Sequence, residues 1–170
     1  MSDRQLHLES IGALLRGQST LTLSTADEFG EPWATPLFYI VDEELTLYWL
    51  SSKTSLHSVN LMRSPRAAVA VYRQTDNWKG IQGVQMRGQV ATVGEPARRK
   101  PLIKTYIQRF ELGIAFKLAI SQCHLFAFRP DFIRLIDNSK VFGSRTEIKR
   151  GPLQSWTVFN SIDTAMGDSQ

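Results

Sequence analysis

The sequence holds few of the residues that build disulfides or metal sites. Its 170 residues include one cysteine, Cys123, and three histidines. A single cysteine cannot form an internal disulfide, which suits a reducing compartment, and we therefore expect a cytoplasmic protein. The histidines, His7, His57 and His124, lie far apart along the chain, and none has other ligand types at metal-binding spacing. The sequence thus predicts no metal site.

Long apolar runs and several enzyme motifs are also absent. No apolar run approaches the roughly 18 to 20 residues that a membrane helix needs. The start, Met1 to Arg4, is polar and leads into an amphipathic pattern instead of the apolar core of a signal peptide. No Gly-x-Ser-x-Gly elbow, Walker A loop, His-Glu-x-x-His pair or Cys-x-x-Cys pair occurs. These absences predict no membrane partner and exclude the enzyme classes that the motifs define.

The composition is that of an ordinary globular domain, with 42% hydrophobic and 21% charged residues. The net charge of +4 is unevenly distributed, because residues 1–85 carry seven basic and nine acidic residues while residues 86–170 carry thirteen and seven. Part of the basic excess lies at 98–100 and 149–150, beside expected turns. A solvated basic face is the favoured interpretation and an anionic small molecule the next one, and we expect no nucleic-acid partner.

Hydrophobic periodicity predicts an α+β fold that is mainly β. Apolar residues at helical spacing predict a first helix that begins near Ser2 or Asp3 and ends at Gly17. Further helices are expected at 55–63 and 96–109. Alternating or apolar runs between turn residues predict seven strands, at 20–25, 32–41, 45–50, 66–72, 83–93, 125–128 and 132–136. Because several strands are apolar on both faces, we expect a closed antiparallel barrel with flanking helices.

Two expectations concern the end of the chain. Arg129-Pro130-Asp131 separates the last two predicted strands, because proline cannot donate a hydrogen bond within a sheet. Beyond residue 150 the pattern weakens and becomes polar, so we expect residues 1–150 to form the domain and 151–170 a loose tail.

The stretch 51–58, between the third strand and the second helix, is rich in residues that bind anions. It has four hydroxyls before the helix interior, together with Lys53 and His57. A helix N-terminus offers free N–H groups and a partial positive charge, which hydroxyls and a cation complete into an anion site. The alternative is that serine and threonine only cap the helix, as they commonly do. Both interpretations stay open from the residues alone.

Two further polar stretches are candidates to face a planar ligand. Residues 79–88 place glycines at the head of a long strand, where a ligand or second backbone can approach, and Gln85 offers a donor and an acceptor. A simple β-bulge is the alternative there. Residues 136–145 place Asn138 and Phe142 in a polar turn, where ring binding and an ordinary turn are both consistent with the pattern.

Six segments, in this order and spacing, resemble the FMN-binding split-barrel family typified by pyridoxamine 5′-phosphate oxidase. The segments are ATPLFY (34–39), LYWLSS (47–52), SLHSVNL (55–61), PRAAVAV (65–71), IQGVQMRG (81–88) and IRLIDN (133–138). The resemblance covers about residues 5–150 and is closest to small bacterial members. It implies a homodimer of six-stranded antiparallel split β-barrels, with two FMN sites in the dimer interface.

The resemblance also implies which residues contact FMN. The strand 35–38 presents backbone groups to the flavin ring, and Ser51 and Ser52 lie near the ribityl chain. Ser55 and His57 hold the phosphate, with His57 where the family often has a lysine. The stretch 82–85 reaches the ring across the interface. The expected FMN contacts are Thr35, Pro36, Leu37, Phe38, Ser51, Ser52, Lys53, Ser55, His57, Gln82, Gly83, Val84, Gln85, Asn138 and Phe142.

The function that this resemblance implies is a flavin-dependent oxidoreductase. FMN carries the redox chemistry, with an unknown small-molecule substrate or electron donor, and no side chain stands out as an acid or base. The alternative is a non-catalytic module that binds FMN, or haem with His124 as axial ligand. Two departures from the oxidase are Leu56-His57 in place of a basic pair and the lack of its C-terminal Trp and Arg segment. They predict no oxidation of pyridoxamine phosphate.

Overall fold

The computed structural model describes residues 2–113, 116, 119–140, 144–151 and 155–162, with the backbone alone at 160–162. The longer helices in this part of the chain are α1 (Asp3–Gly17), α2 (Leu56–Arg63) and α3 (Pro96–Arg109). The strands described are β1 (Thr20–Ala26), β2 (Pro32–Phe38), β3 (Ile40–Val41), β4 (Leu47–Ser52), β5 (Arg66–Tyr72), β6 (Gln82–Thr92), β7 (Cys123–Asp137), β8 (Ser144–Arg150) and β9 (Trp156–Ile162).

The helices begin where local capping signals occur. The Ser2 hydroxyl accepts a hydrogen bond from the Gln5 N–H at 3.3 Å at the start of α1. The carboxylate of Glu95 accepts from the N–H groups of Ala97 and Arg98, both at 2.9 Å, at the start of α3. The predicted helices are therefore confirmed, each within one or two residues of its expected bounds.

The nine described strands form one antiparallel sheet that curls into a split barrel. Its order is β2-β1-β5-β6-β7-β4-β3, with β8 paired to β7 and β9 paired to β8. The two end strands, β2 and β3, follow each other along the chain with only Tyr39 between them, so the chain itself joins the two ends. The expected split barrel is confirmed, but its main path has seven strands instead of six, because the strand expected at 32–41 divides at Tyr39. The strands β8 and β9 extend the sheet beyond this path.

The last barrel strand is continuous, contrary to the sequence-based prediction. We expected a break at Arg129-Pro130-Asp131, whereas β7 runs unbroken through this segment. A β-bulge accommodates the proline, since Arg87 pairs with Phe132 and Gly88 pairs with Pro130, leaving Asp131 without a partner residue in β6. A Cβ atom on Gly88 would lie 2.2 Å from the Arg129 carbonyl oxygen, so the bulge requires glycine there.

The C-terminal segment is more ordered than the sequence pattern indicates. Residues 156–162, in the segment expected to be loose, form β9 and pair with all of β8. Trp156 and Val158 are partly buried against the barrel core. The described part of this segment is thus a strand of the sheet and not a loose tail.

Two apolar cores lie on opposite faces of β4 and β7. Trp49 and Phe126 face the barrel interior, where their rings stack with centroids 5.6 Å apart. Leu50 and Leu125 face the other way and pack under Tyr106 of α3. Because side chains alternate along a strand, the residue after Leu50 faces the barrel interior again. None of the described helices is long and apolar enough to cross a membrane.

Candidate functional site

A cluster of hydroxyls and one imidazole lies where β4 ends and α2 begins. This hydroxyl–imidazole cluster consists of Ser51, Ser55, His57 and Ser58. Nε2 of His57 lies 2.6 Å from the Ser51 hydroxyl and 3.1 Å from the Ser55 hydroxyl. The Ser55 hydroxyl is also 3.2 Å from that of Ser51 and 2.7 Å from that of Ser58. The four side chains therefore form one hydrogen-bonded network.

A tight turn brings these groups together. The Ser55 N–H donates to the Ser52 carbonyl at 3.3 Å, and the Thr54 N–H donates to the Ser52 hydroxyl, also at 3.3 Å. Ser55 then occupies the N-cap position of α2, but its side chain makes no capping hydrogen bond. The first N–H groups of α2 therefore have no side-chain cap, which is the condition for binding an anion at a helix start.

His57 is buried, and its burial favours the neutral imidazole. Its side chain is 6% exposed, and this burial lowers the pKa of the imidazole below its usual value. A positive charge at this position therefore requires uptake of a proton when an anion binds. Lys53 is the exposed cation of the same stretch. Ser52 is also exposed, and its hydroxyl oxygen lies 3.0 Å from that of Thr54.

The residues of β2 that were expected to face a flavin point in two directions. Thr35 and Leu37 pair with the core residues Leu23 and Leu21 of β1, so they face the barrel interior. The Thr35 hydroxyl oxygen is buried and has no hydrogen-bond partner among the described residues. The alternate residues, Pro36 and Phe38, face outward. The Phe38 ring and carbonyl are already in contact with Phe110 and Tyr106 of the α3 segment.

The expected residues from β6 and the end of β7 meet each other. Nε2 of Gln82 donates to the Asp137 carboxylate at 3.0 Å, and Nδ2 of Asn138 donates to the Trp78 carbonyl at 3.1 Å. Asn138 directly follows the Asp137 to which Gln82 donates, so the two expected residues lie close together. Phe142, the other residue expected in this turn, lies outside the described residues.

Between these groups, the residues 83–85 have different roles. A Cβ atom on Gly83 would lie 2.9 Å from Cβ of Tyr72, so this glycine permits the close approach of β5 and β6. Val84 is buried in the core. Gln85 is exposed on the outer face of the sheet. Of the three, the side chain of Gln85 is the one available to a ligand.

The two halves of the expected site lie far apart within one chain. Ser51 pairs with His124 at the beginning of β7, whereas Gln82 pairs with Asp137 at its end. His124 and Asp137 are thirteen positions apart in the sequence of β7. At the usual rise per residue this corresponds to about 40 Å along the strand. One chain therefore does not bring the hydroxyl–imidazole cluster and the Gln82 group together.

The outer face of the sheet between β2 and β7 carries side chains of mixed size. Pro36, Thr22, Ala70, Gln85 and Arg134 pair successively across five strands and so share one row of this face. A depression of about 410 Å³ lies over part of it. This outer face is a candidate contact surface for a second copy of the chain or for a planar ring.

Sequence reasoning missed part of the buried polar network around α2. Nδ2 of Asn60 donates to the Thr25 hydroxyl of β1 at 3.2 Å, and both side chains are buried. This bond fixes α2 against β1. For the Ser55–Ser58 part of the network, the available signal was the spacing of the two serines, which places their hydroxyls one helical turn apart. No group of three or more metal-ligating side chains occurs among the described residues.

Comparison with known proteins identifies the family. The family described as pyridoxamine 5′-phosphate oxidase matches residues 8–137. The UPF0306 protein YhbP of Escherichia coli is 30% identical over 147 residues, which cover 85% of this chain and 94% of the relative. This relative carries no named activity.

Solved structures share the fold at low identity. A pyridoxamine 5′-phosphate oxidase-related, FMN-binding protein of Nostoc punctiforme has a TM-score of 0.70 at 14% identity, covering 95% of this chain and 97% of that one. HutZ, a haem storage protein of Vibrio cholerae, has a TM-score of 0.63 at 18% identity, and the match covers 72% of this chain and 88% of HutZ. The sequence match and the split-barrel fold together mean that this chain belongs to the pyridoxamine 5′-phosphate oxidase family.

Proposed function

We propose that this protein binds FMN as a redox cofactor, at sites that two copies of the chain form together. The observation that carries the proposal is the hydroxyl–imidazole cluster at an α2 start without a side-chain cap. A phosphate monoester needs several donors that converge on its oxygens, and helix N–H groups, serine hydroxyls and an imidazolium supply them. The FMN-binding relative from Nostoc punctiforme supports FMN among phosphorylated cofactors.

A second copy supplies what one chain lacks. Gln82 and Asn138 are about 40 Å of strand away from the cluster in the same chain. A two-fold arrangement through the outer sheet face would bring the Gln82 group of one chain toward the cluster of its partner, in both directions. The outward row in which Ala70 stands between Thr22 and the exposed Gln85 supports this face as the contact surface.

The residues of this chain would bind and orient the cofactor. FMN, when bound, supplies the electron and hydride transfer, with a small-molecule electron donor. Ser51 and Ser55 would donate to phosphate oxygens, and His57 would take up a proton and balance the phosphate charge.

An absorption spectrum of the purified protein tests the proposal. We expect flavin bands with one FMN per chain after incubation with FMN and removal of the excess, and bleaching of those bands by NADH or NADPH. Absence of bound flavin under these conditions would refute FMN binding, whereas bound flavin that no donor reduces would refute the redox role. A haem Soret band in place of flavin would favour the alternative module, and His124→Ala would then remove it.

A further inference from the structure

A second depression, distinct from the hydroxyl–imidazole cluster, lies between the start of α3 and the start of β7. Its volume is about 490 Å³. Lys53, Arg99 and Lys100 contribute three basic side chains to its lining, and no aspartate or glutamate is among the described lining residues. We refer to it as the basic depression. It lies on the α3 side of β4, whereas Ser51 faces the barrel interior.

The three basic side chains carry uncompensated charge. None of them takes part in the ion pairs between described residues. The nearest helix-start carboxylate, that of Glu95, already accepts hydrogen bonds from two backbone N–H groups of α3. Three like charges on one concave surface repel each other, and a bound anion relieves that repulsion.

One basic side chain of the lining is held in place by a hydrogen bond to the backbone. Nη2 of Arg99 donates to the Cys123 carbonyl at 3.2 Å, which holds the guanidinium at the wall. The Cys123 thiol is half-buried. Burial raises the pKa of this thiol, and the charges of Arg99 and Lys53 oppose that rise. Thr92 and Ser121 add hydroxyls to the same lining.

The rest of the lining consists of His124, Gly94 and three apolar residues. The apolar residues are Pro96 and two members of the second core, Val93 and Leu125. Polar donors beside an apolar wall suit a ligand that has both kinds of surface. We propose that the basic depression binds a small molecule that carries a phosphate group on an apolar ring or chain. Three cations and two hydroxyls match the several oxygens and double charge of a phosphate.

This inference goes beyond the proposed cofactor site, since it concerns a different ligand. It also reinterprets residues 98–100, which the sequence pattern favoured as a solvated face. Lys53, which lines the basic depression, was also expected among the FMN contacts. The experiment must therefore tell a separate ligand apart from FMN itself.

Cys123 serves as a reporter, because it is the only cysteine in the chain and lines the depression. We would measure the rate at which iodoacetamide alkylates it, by mass spectrometry, with increasing phenyl phosphate. We expect protection by phenyl phosphate at lower concentration than by inorganic phosphate or phenol. Lack of protection, or equal protection by phenol, would overturn the proposal.

Two variants check that the charges cause the protection. Lys53→Gln/Lys100→Gln removes two exposed charges from the depression, and Lys104→Gln/Lys140→Gln removes two exposed charges elsewhere. We expect protection at least tenfold weaker in the first variant and unchanged in the second, since a hydrogen bond to a charged group is worth about one factor of ten or more. Equal protection in both variants would overturn the proposal.

Saturation with FMN distinguishes the two sites. We expect phenyl phosphate to protect Cys123 equally well in the FMN-loaded protein. If FMN alone gives full protection, the depression belongs to the cofactor site and the separate ligand is refuted, while FMN binding stands. If FMN does not bind at all but phenyl phosphate still protects Cys123, the basic depression stands and the proposed function fails.

Discussion

The Ser51 hydroxyl and Nε2 of His57 lie 2.6 Å apart, joining the last inward-facing residue of β4 to the first turn of α2. The bond holds the imidazole in a buried position, at a helix start without a side-chain cap. The imidazole therefore has a fixed position, and its burial favours the uncharged form. This combination determines how the site responds to a phosphate and to pH.

We expect His57→Ala to weaken FMN binding by about ten- to a hundredfold and to leave riboflavin binding nearly unchanged. The reason is that a hydrogen bond to a charged group contributes roughly 1.5–3 kcal/mol, and riboflavin has no phosphate. Titration of flavin fluorescence measures both affinities, with His7→Ala on α1 as the control. His57→Lys should restore most of the FMN affinity. Equal losses for both flavins would mean that the phosphate lies elsewhere.

We expect FMN affinity to fall as the pH rises through the bound-state pKa of His57. Burial lowers the pKa of this imidazole in the free protein, and a bound phosphate dianion raises it, so binding takes up a proton. Affinity should be highest on the acidic side of the bound-state pKa and lower above it. Isothermal titration in buffers of different ionisation enthalpy measures the proton uptake. His57→Ala should abolish it, and proton uptake that persists in this variant would contradict the assignment.

We expect a dimer with twice the 19.3 kDa mass of one chain in light scattering at micromolar concentration. An obligate interface of this kind buries roughly 2,000 Å² or more in total. Ala70→Asp should shift the mass toward the monomer, because it places a charge at the centre of the outer sheet face. Thr105→Asp, on the exposed side of α3, is the matched control. A monomeric wild type would refute both the dimer and the two-chain site.

We expect no useful oxidation of pyridoxamine or pyridoxine phosphate. The family resemblance implies Leu56-His57 where the oxidase has a basic pair, and burial lowers the pKa of the His57 imidazole. A peroxide-release assay on FMN-loaded protein measures the reaction. Turnover at about one per second or faster, in the range typical of enzymes, would contradict this expectation.

We expect Gly88→Ala to lower the free energy of unfolding by about 2 kcal/mol or more, since the new methyl group would meet the Arg129 carbonyl oxygen at 2.2 Å. Gly94→Ala is the control, because its methyl group would have no heavy atom within 4 Å. That control should stay within about 0.5 kcal/mol of the wild type. Chemical denaturation measures both values. Equal stability of the two variants would mean that the bulge relaxes without cost.

Local patterns in the sequence predict much of this fold, including β5 and all three longer helices. They fail where a partner strand decides the outcome. Pro130 marks a strand break by itself, but the bulge at Gly88 lets β7 continue past it. The sequence of β8 is polar, and no strand was predicted there. Its pairing with β7 is supported by the ion pair of Arg134 with Glu147 at 2.7 Å, directly across the two strands.

The candidate site shows the same division. The stretch 51–58 predicts an anion site from local chemistry, and the structure brings its hydroxyls and imidazole together. The charge of His57 could not be predicted, because it depends on burial by distant residues. The basic depression was missed for a related reason. Lys53 and Arg99 are 46 positions apart in the sequence, and only the packing of α3 beside β7 places them in one lining.

Tyr39 joins the two ends of the sheet and is itself fixed to α1. Its N–H donates to the Ser19 carbonyl at 3.1 Å, and its buried hydroxyl donates to the Leu15 carbonyl at 2.5 Å. The two end strands, β2 and β3, cannot move apart at Tyr39 unless the end of α1 also moves. Helix α1 and the junction of β2 with β3 therefore open as one cooperative unit, and their backbone amides should exchange with solvent deuterium at a common rate.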